Sequence, residues 1–226
     1  MEYKEKYHER VKKIFLELKS TESIDKAVLN SIPLLNGKGY LLCVSELHTN
    51  DEVLIASLTK WRQDAKTFHN KFNVTVESTS TWMRELLLDV PDRILFLVVN
   101  SHEKPIGHMG FANVLNEDHL MEFDNVIRGI KGQDRGLMSV ATKSLLKWAN
   151  ETFKPNGFFL RTLDDNEHAI SFYTNLGFVI SGQEPLRRIE KNGEINHLPL
   201  LKGDNRKPDR FFTRMQLNPS DIANFF

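Results

Sequence analysis

Apolar residues recur along the chain in two rhythms. Over residues 1–19, Tyr3, Tyr7, Val11, Ile14, Phe15 and Leu18 fall on one helical face, with mixed charges elsewhere. Such an amphipathic helix must cover something: the main domain, a second subunit or a partner. The SIPLLNGKGY segment at 31–40 carries Pro and Gly and reads as a link. The pattern therefore divides the chain into an N-terminal helical extension, 1–38, and a main domain, 39–226.

From residue 40 the two rhythms alternate. YLLCVSEL (40–47) reads as a buried strand, and Asp51 is placed to cap a helix over DEVLIASLTKWRQDA. STSTWMRELLLD (78–89) reads as a second helix. RILFLVVN (93–100) and PIGHMGFANV (105–114) are predicted strands joined by the turn SHEKP, and HLMEFDNVI (119–127) is a third. After a glycine-bearing stretch come the strand GFFLRTL (157–163), the helix NEHAISFYTNLG (166–177) and the strand FVISG. A charged loop, PLRRIEKNGE, leads to a last apolar segment, RFFTRMQL (210–217). A hairpin-like group of strands followed by strand–helix–strand units predicts an α/β (α+β) fold with a mixed central sheet flanked by helices.

Composition narrows the function classes. Thirty basic residues balance thirty acidic ones, which argues against a general nucleic-acid binder, since such proteins carry a basic surplus. Cys43 is the only cysteine, so no intrachain disulfide is available; it sits in an apolar run and reads as a buried structural thiol. The N-terminus is too charged for a signal peptide, and the longest apolar run, ILFLVV, falls far short of the ~20 residues of a membrane span. A cytoplasmic chain, in contact with neither membrane nor nucleic acid, is expected. The eight histidines show no HExxH-type spacing and one cysteine cannot build a zinc–thiolate site, so no metal is expected.

Two motifs carry chemistry. In IRGIKGQDRGLMSVATKSLLKWAN (127–150), a strand ends in a glycine-bearing loop that opens a helix. The first N–H groups of such a helix lack intrahelical partners and the macrodipole adds positive potential, a natural seat for a phosphate. Gly136 permits close approach, Arg128, Lys131 and Arg135 offer counter-charge, and Asp134 must point aside. About thirty residues on, in DNEHAISFYTNLGF, Asp164 and Glu167 have capping-box spacing. Ala169, Phe172, Tyr173 and Leu176 form a buried helical face, and Gly177 is a C-terminal stop.

Together the motifs resemble those of the GNAT superfamily of acyl-CoA-dependent N-acyltransferases. Its pyrophosphate motif, Gln/Arg-x-x-Gly-x-Gly/Ala, is met by Gln133 and Gly136, with Met138 where a small residue is usual. Its later signature, Asn-x-x-Ala-x-x-Phe-Tyr-x-x-Leu-Gly-Phe, is met in full by Asn166, Ala169, Phe172, Tyr173, Leu176, Gly177 and Phe178. The resemblance spans about residues 40 to 217. More weakly, EFDNVIRG with GLMSVATKSLLKWA looks like acetyltransferases that modify amino sugars in surface-polysaccharide pathways.

The resemblance implies a GNAT fold whose central parallel strands splay apart around acetyl-CoA, with direct transfer to an amine in a ternary complex. Gln133, Asp134, Arg135, Gly136, Leu137 and Met138 would grip the pyrophosphate. Val126 and Ile127 would pair with the pantetheine arm and polarise the thioester, and Asn166 would hydrogen-bond the pantetheine. Tyr173 matches the family's general acid, since a phenol of pKa about 10 is suited to protonating a thiolate of about 8.5. Glu122, then Asp124, are the candidate bases for the incoming ammonium; both lie on one strand face. His108 is a further candidate, although a core histidine is the commoner reading. A rim of Arg187, Arg188, Lys202, Arg206, Lys207 and Arg210 suggests an anionic acceptor such as a nucleotide-linked amino sugar. The alternatives are a protein or peptide N-terminal acetyltransferase and a non-catalytic acyl-CoA-binding module. The acceptor is a small-molecule amine in the preferred reading, and a homodimer is compatible with the free helical face.

Overall fold

A computed structural model describes residues 2–65, 73–191, 194–201 and 203–225, without the side chains of 2–5, 191 and 224. Among these, nine strands form one sheet. β1 (Ile32–Pro33), β2 (Gly39–Cys43), β3 (Ile94–Asn100), β4 (Pro105–Ala112) and β5 (Leu120–Arg128) make an antiparallel meander. β6 (Gly157–Leu163) joins β5 in parallel. β9 (Arg210–Leu217) then lies between β6 and β7 (Val179–Lys191), and β8 (Glu194–Pro199) closes the far edge, giving the order 1-2-3-4-5-6-9-7-8. The mixed α/β sheet expected from the sequence is the architecture found.

β3 explains how the layers form. Its run ILFLVVN is buried at every position because the sheet is covered on both faces. Ile94, Phe96 and Val98 face one core, packed by α1 (Glu2–Lys19) and α5 (Leu137–Phe153). Leu95, Leu97 and Val99 face the other, packed by α3 (Glu52–Asp64) and by α4 (Val76–Thr81), which continues as a π-helical turn over Trp82–Leu88. Asp51 caps α3 as expected, accepting from the Leu54 N–H at 2.9 Å. Cys43 is buried, and burial pushes its thiol up to about 12.

The surface that α1 covers is the main domain. Tyr7, Val11, Phe15 and Leu18 are buried in the same core as α5; the Tyr3 side chain lies outside the described residues. At the end of α1, the buried Lys19 ammonium donates to the carbonyls of Leu87, Val90 and Arg93 at 3.1, 2.7 and 3.2 Å. It thus caps the orphan carbonyls of the π turn and ties α1 to the entry of β3. Burial lowers its pKa, and three carbonyl acceptors keep the cation worthwhile there.

Two expectations need correction. The 31–40 link is a hairpin, with Ile32 paired to Leu41 and Pro33 to Tyr40. The charged PLRRIEKNGE segment is not a loop but two paired strands, in register from Leu186↔Pro199 to Lys191↔Glu194. Asn192 and Gly193, outside the described residues, fall between them, and Asn-Gly is a strong hairpin signal that the charges concealed. No helix among the described residues is long and apolar enough to cross a membrane.

Because Lys19 satisfies three buried carbonyls, Lys19→Met is expected to lower stability by about 2 kcal/mol and the melting temperature by roughly 4–8 °C. Thermal unfolding followed by circular dichroism checks this, and an unchanged midpoint would assign the three contacts no energetic role.

Candidate active site

β5 and β6 run together for three residue pairs, Leu120↔Gly157, Met121↔Phe158 and Glu122↔Phe159. Beyond them β5 pairs only with β4, and β6 only with β9 as far as Leu163↔Phe212. The strands part, and a cavity of about 940 Å³ opens at the fork. Its walls come from β5 (Glu122 to Ile127), β6 (Arg161 to Leu163), α6 (Glu167–Thr174), α4 and its π turn, and β8.

Glu122 stands at the fork. Its carboxylate accepts from Arg161 Nε at 2.8 Å and Nη2 at 3.0 Å, and from Asn113 Nδ2. Burial works against the Arg161 cation, but hydrogen bonds and charge from Glu122 and Glu184 outweigh it and hold the guanidinium above its ordinary value. A carboxylate clamped in a bidentate ion pair has its lone pairs committed. Asp124, two residues on, is different. It accepts one side-chain hydrogen bond, from Asn125 Nδ2 at 2.7 Å. Burial first, and the Glu122 charge second, raise its pKa above the usual carboxylate range.

Tyr173 reaches the cavity from α6, whose short helix is capped by Asn166 rather than Asp164. The Asn166 Oδ1 accepts from the Ala169 N–H at 3.2 Å. Asp164 is drawn instead to the Phe211 backbone, and Asp165 pairs with Arg210 at 2.5 Å, because both follow the edge of β9. The Tyr173 ring packs edge-on against Phe123, Phe172 and Phe178. Burial, with the Asp124 charge adding to it, raises the phenol pKa.

β5 carries a bulge where it passes the cavity: Gly110 pairs with Asp124 but His108 with Ile127, leaving Met109 opposite Asn125 and Val126. Asn125 takes the left-handed conformation (φ 54°), and its carbonyl accepts from His108 Nδ1 at 2.6 Å. His108 is fully buried, and burial brings its pKa down to about 4. It is a neutral core histidine bracing the bulge, and Val126 and Ile127 line the cavity beyond it.

The glycine-bearing loop leads into α5, whose N-cap is Gly136 at φ 81° with no side-chain capping bond. Cβ atoms built on Gly132 and Gly136 would meet nothing within 4 Å, so the approach to the loop is open. Asp134 points aside as required: its Oδ2 accepts from Asn100 Nδ2 at 2.8 Å. Arg128 braces the loop from within, donating to the carbonyls of Ile130 and Gln133. Leu137 and Met138 are buried in the core below α5, so the backbone is what this turn presents. An uncapped helix start with glycine clearance is an arrangement that fits a pyrophosphate.

Part of the cationic rim is neutralised. Arg188 pairs with Glu190 at 2.7 Å, Arg206 with Asp204 at 2.5 Å, and Arg210 with Asp165. Lys202 and residues 66–72 of the other presumed acceptor region lie outside the described residues. Three cavity arginines escaped the sequence reading: Arg62, Arg93 and Arg161. The available signal was Arg161 itself, a charge within the apolar strand GFFLRTL, which demands a buried counter-ion. Among the described residues no group of three or more His, Cys, Asp or Glu is placed to hold a metal ion.

A family model described as an acetyltransferase (GNAT) domain matches residues 42–179. No curated protein matches the chain. A spermidine N-acetyltransferase from Vibrio cholerae, solved with CoA and spermine, superimposes with a TM-score of 0.60 at 16% identity, covering 81% of this chain and 97% of that one. A probable GNAT-family acetyltransferase from Chromobacterium violaceum gives 0.63 at 14% identity, over 91% and 90% of the two chains. At these identities the likeness is one of fold.

Since Glu122 answers a partly buried guanidinium, Glu122→Gln should lower stability by about 3 kcal/mol, the lower end for a broken buried ion pair because Glu184 remains. Urea denaturation measures it; a variant as stable as the parent would show the pair to be energetically idle.

Proposed function

The chain belongs to the GNAT acetyltransferase family, enzymes of acetyl-CoA-dependent N-acetyl transfer, and on that premise we propose that it acetylates a small-molecule primary amine by direct attack, with Asp124 and Tyr173 as proton carriers. The observation that supports this most is the placement of these two groups on one cavity at the fork of the sheet. The pyrophosphate of acetyl-CoA would lie on the Gln133–Met138 turn, and the pantetheine would follow the bulged edge at Val126 and Ile127 toward Asn166. Glu122, first in order from the sequence, yields the base role to Asp124, because its oxygens hold Arg161 and Asn113.

In the proposed reaction Asp124 takes a proton from the acceptor ammonium, and the amine attacks the thioester carbonyl. Collapse of the tetrahedral intermediate breaks the C–S bond, and Tyr173 donates its phenolic proton to the leaving thiolate. A phenol raised by burial is fully protonated at neutral pH, the form an acid needs.

The narrower acceptor suggested by the sequence, an amino sugar or nucleotide-linked amino sugar, draws less support than expected from the β7–β9 rim, three of whose four arginines are paired with acids. A polyamine, the class bound by the Vibrio cholerae enzyme, would meet Arg62 and Arg93 on the same cavity walls. A small amine of another charge type suits the cavity better.

Asp124→Asn is expected to lower kcat by about 10²-fold or more, and Tyr173→Phe to lower kcat with acetyl-CoA affinity nearly intact. Thiol release and calorimetric titration of acetyl-CoA separate the two effects; an unchanged rate removes the residue from its role, and absent acetyl-CoA binding removes the enzyme reading.

The pH dependence has a defined sign. The base form of Asp124 exists only above its raised pKa, so kcat/KM of the parent should rise with pH through an acid limb above the ordinary Asp value. Stability should run the other way, falling as pH rises from that ordinary value through the raised one, because the folded state binds the proton more tightly. A limb at the ordinary aspartate pKa would contradict the assignment.

A further inference from the structure

The acceptor half of the cavity holds an arginine whose side chain has no hydrogen-bond or ion-pair partner among the described residues. Arg93 lines the cavity, and neither a hydrogen bond nor an ion pair engages its guanidinium among the described residues; its Nε is buried without an acceptor. Buried guanidinium atoms are ordinarily satisfied, because leaving one unpaired forfeits its hydration. The sheet register puts Arg93 on the catalytic face: Ile94 pairs with Phe111, and Ala112 with Glu122, so Arg93, Ala112 and Glu122 form one cross-strand row beside Asp124. Arg62 reaches the same cavity from α3, its guanidinium stacked on the Trp82 ring at 4.5 Å and donating to Thr79 Oγ1 at 3.2 Å.

No cavity acid among the described residues forms an ion pair with Arg93, although the Arg93 charge offsets part of the upward shift of Asp124. Glu122 is taken by Arg161, Asp124 is biased toward its neutral form, and Glu77 stands at the exposed mouth. We infer that Arg93, assisted by Arg62, is the docking site for an anionic group of the acceptor, a carboxylate or phosphate carried on the same molecule as the amine delivered to Asp124. The inference rests on the acetyltransferase reading and narrows its substrate class: planar guanidinium groups suit both anions through paired N–H donors. It also places anion recognition on α3 and β3 rather than on the β7–β9 rim.

The test is thiol release from acetyl-CoA with matched acceptors: glucosamine against glucosamine 6-phosphate, an amino acid against its amide, and spermidine as a trication. The phosphorylated or carboxylated member of a pair should show the higher kcat/KM, and the two pairs tell phosphate from carboxylate. Arg93→Gln should raise KM for that member about tenfold to a hundredfold, with acetyl-CoA affinity unchanged and a much smaller change for the neutral member. Turnover of spermidine or of the neutral members as well as the anionic ones would overturn the anion site while leaving the acetyltransferase reading intact. So would an Arg93→Gln effect equal for both members of a pair. Failure to bind acetyl-CoA calorimetrically would instead remove the reading on which the site rests.

Discussion

The ion pair between Glu122 and Arg161 sits where the sheet stops being a sheet. Below it, β5 and β6 exchange parallel backbone hydrogen bonds; above it they share none, and the cavity begins. Separating two adjacent strands strips both of ladder partners, and such an opening persists only if something else holds the edges. β4 and β9 hold the outer edges. Across the gap the bidentate contact from Arg161 to Glu122, extended to Asn113 and Glu184, replaces the missing ladder with side-chain bonds. The residue that stood first as the candidate base in the sequence is, in its contacts, the clasp that sets the width of the site.

That displacement shows what could and could not be read from the chain. β3, α3 and α5 were legible because burial on both faces of a strand, or on one face of a helix, writes itself directly into apolar spacing. The β7–β8 hairpin was not, because half-exposed edge strands tolerate charges such as Arg187, Arg188 and Glu190, and their composition imitates a loop. The same holds for the end of β6, where Asp164 and Asn166 compete to cap α6. Spacing favoured Asp164, and the pull of β9 on Asp164 and Asp165 decided for Asn166.

In the candidate site the division is similar. Local features were legible: the uncapped start of α5, the need for Asp134 to turn away and the burial of Tyr173. Each depends on residues close in sequence. Ranking Glu122 against Asp124 depends instead on Arg161, thirty-nine residues away, and no local pattern announces which of two alternate carboxylates meets a distant guanidinium. Arg62 and Arg93 were hidden for the same reason, since an isolated arginine beside an apolar run reads as a solvated end until the fold closes over it.

The electrostatics of the cavity follow from this assembly and not from net charge, which is zero. Pairing is the deciding variable. Three of the four arginines of the β7–β9 rim, Arg188, Arg206 and Arg210, meet acids on neighbouring loops and strands and are weakened as long-range attractors. Arg161 is likewise neutralised at the fork. Arg93, on the cavity wall, has no ion-pair partner among the described residues and lies close to the carboxylate whose own charge burial suppresses. An incoming ammonium restores the Asp124 charge at the moment it docks, because an opposite charge favours the ionised form. An incoming anion does the complementary thing for Arg93. A molecule bearing both groups satisfies both residues at once, so each half of the acceptor makes the other half's site more favourable.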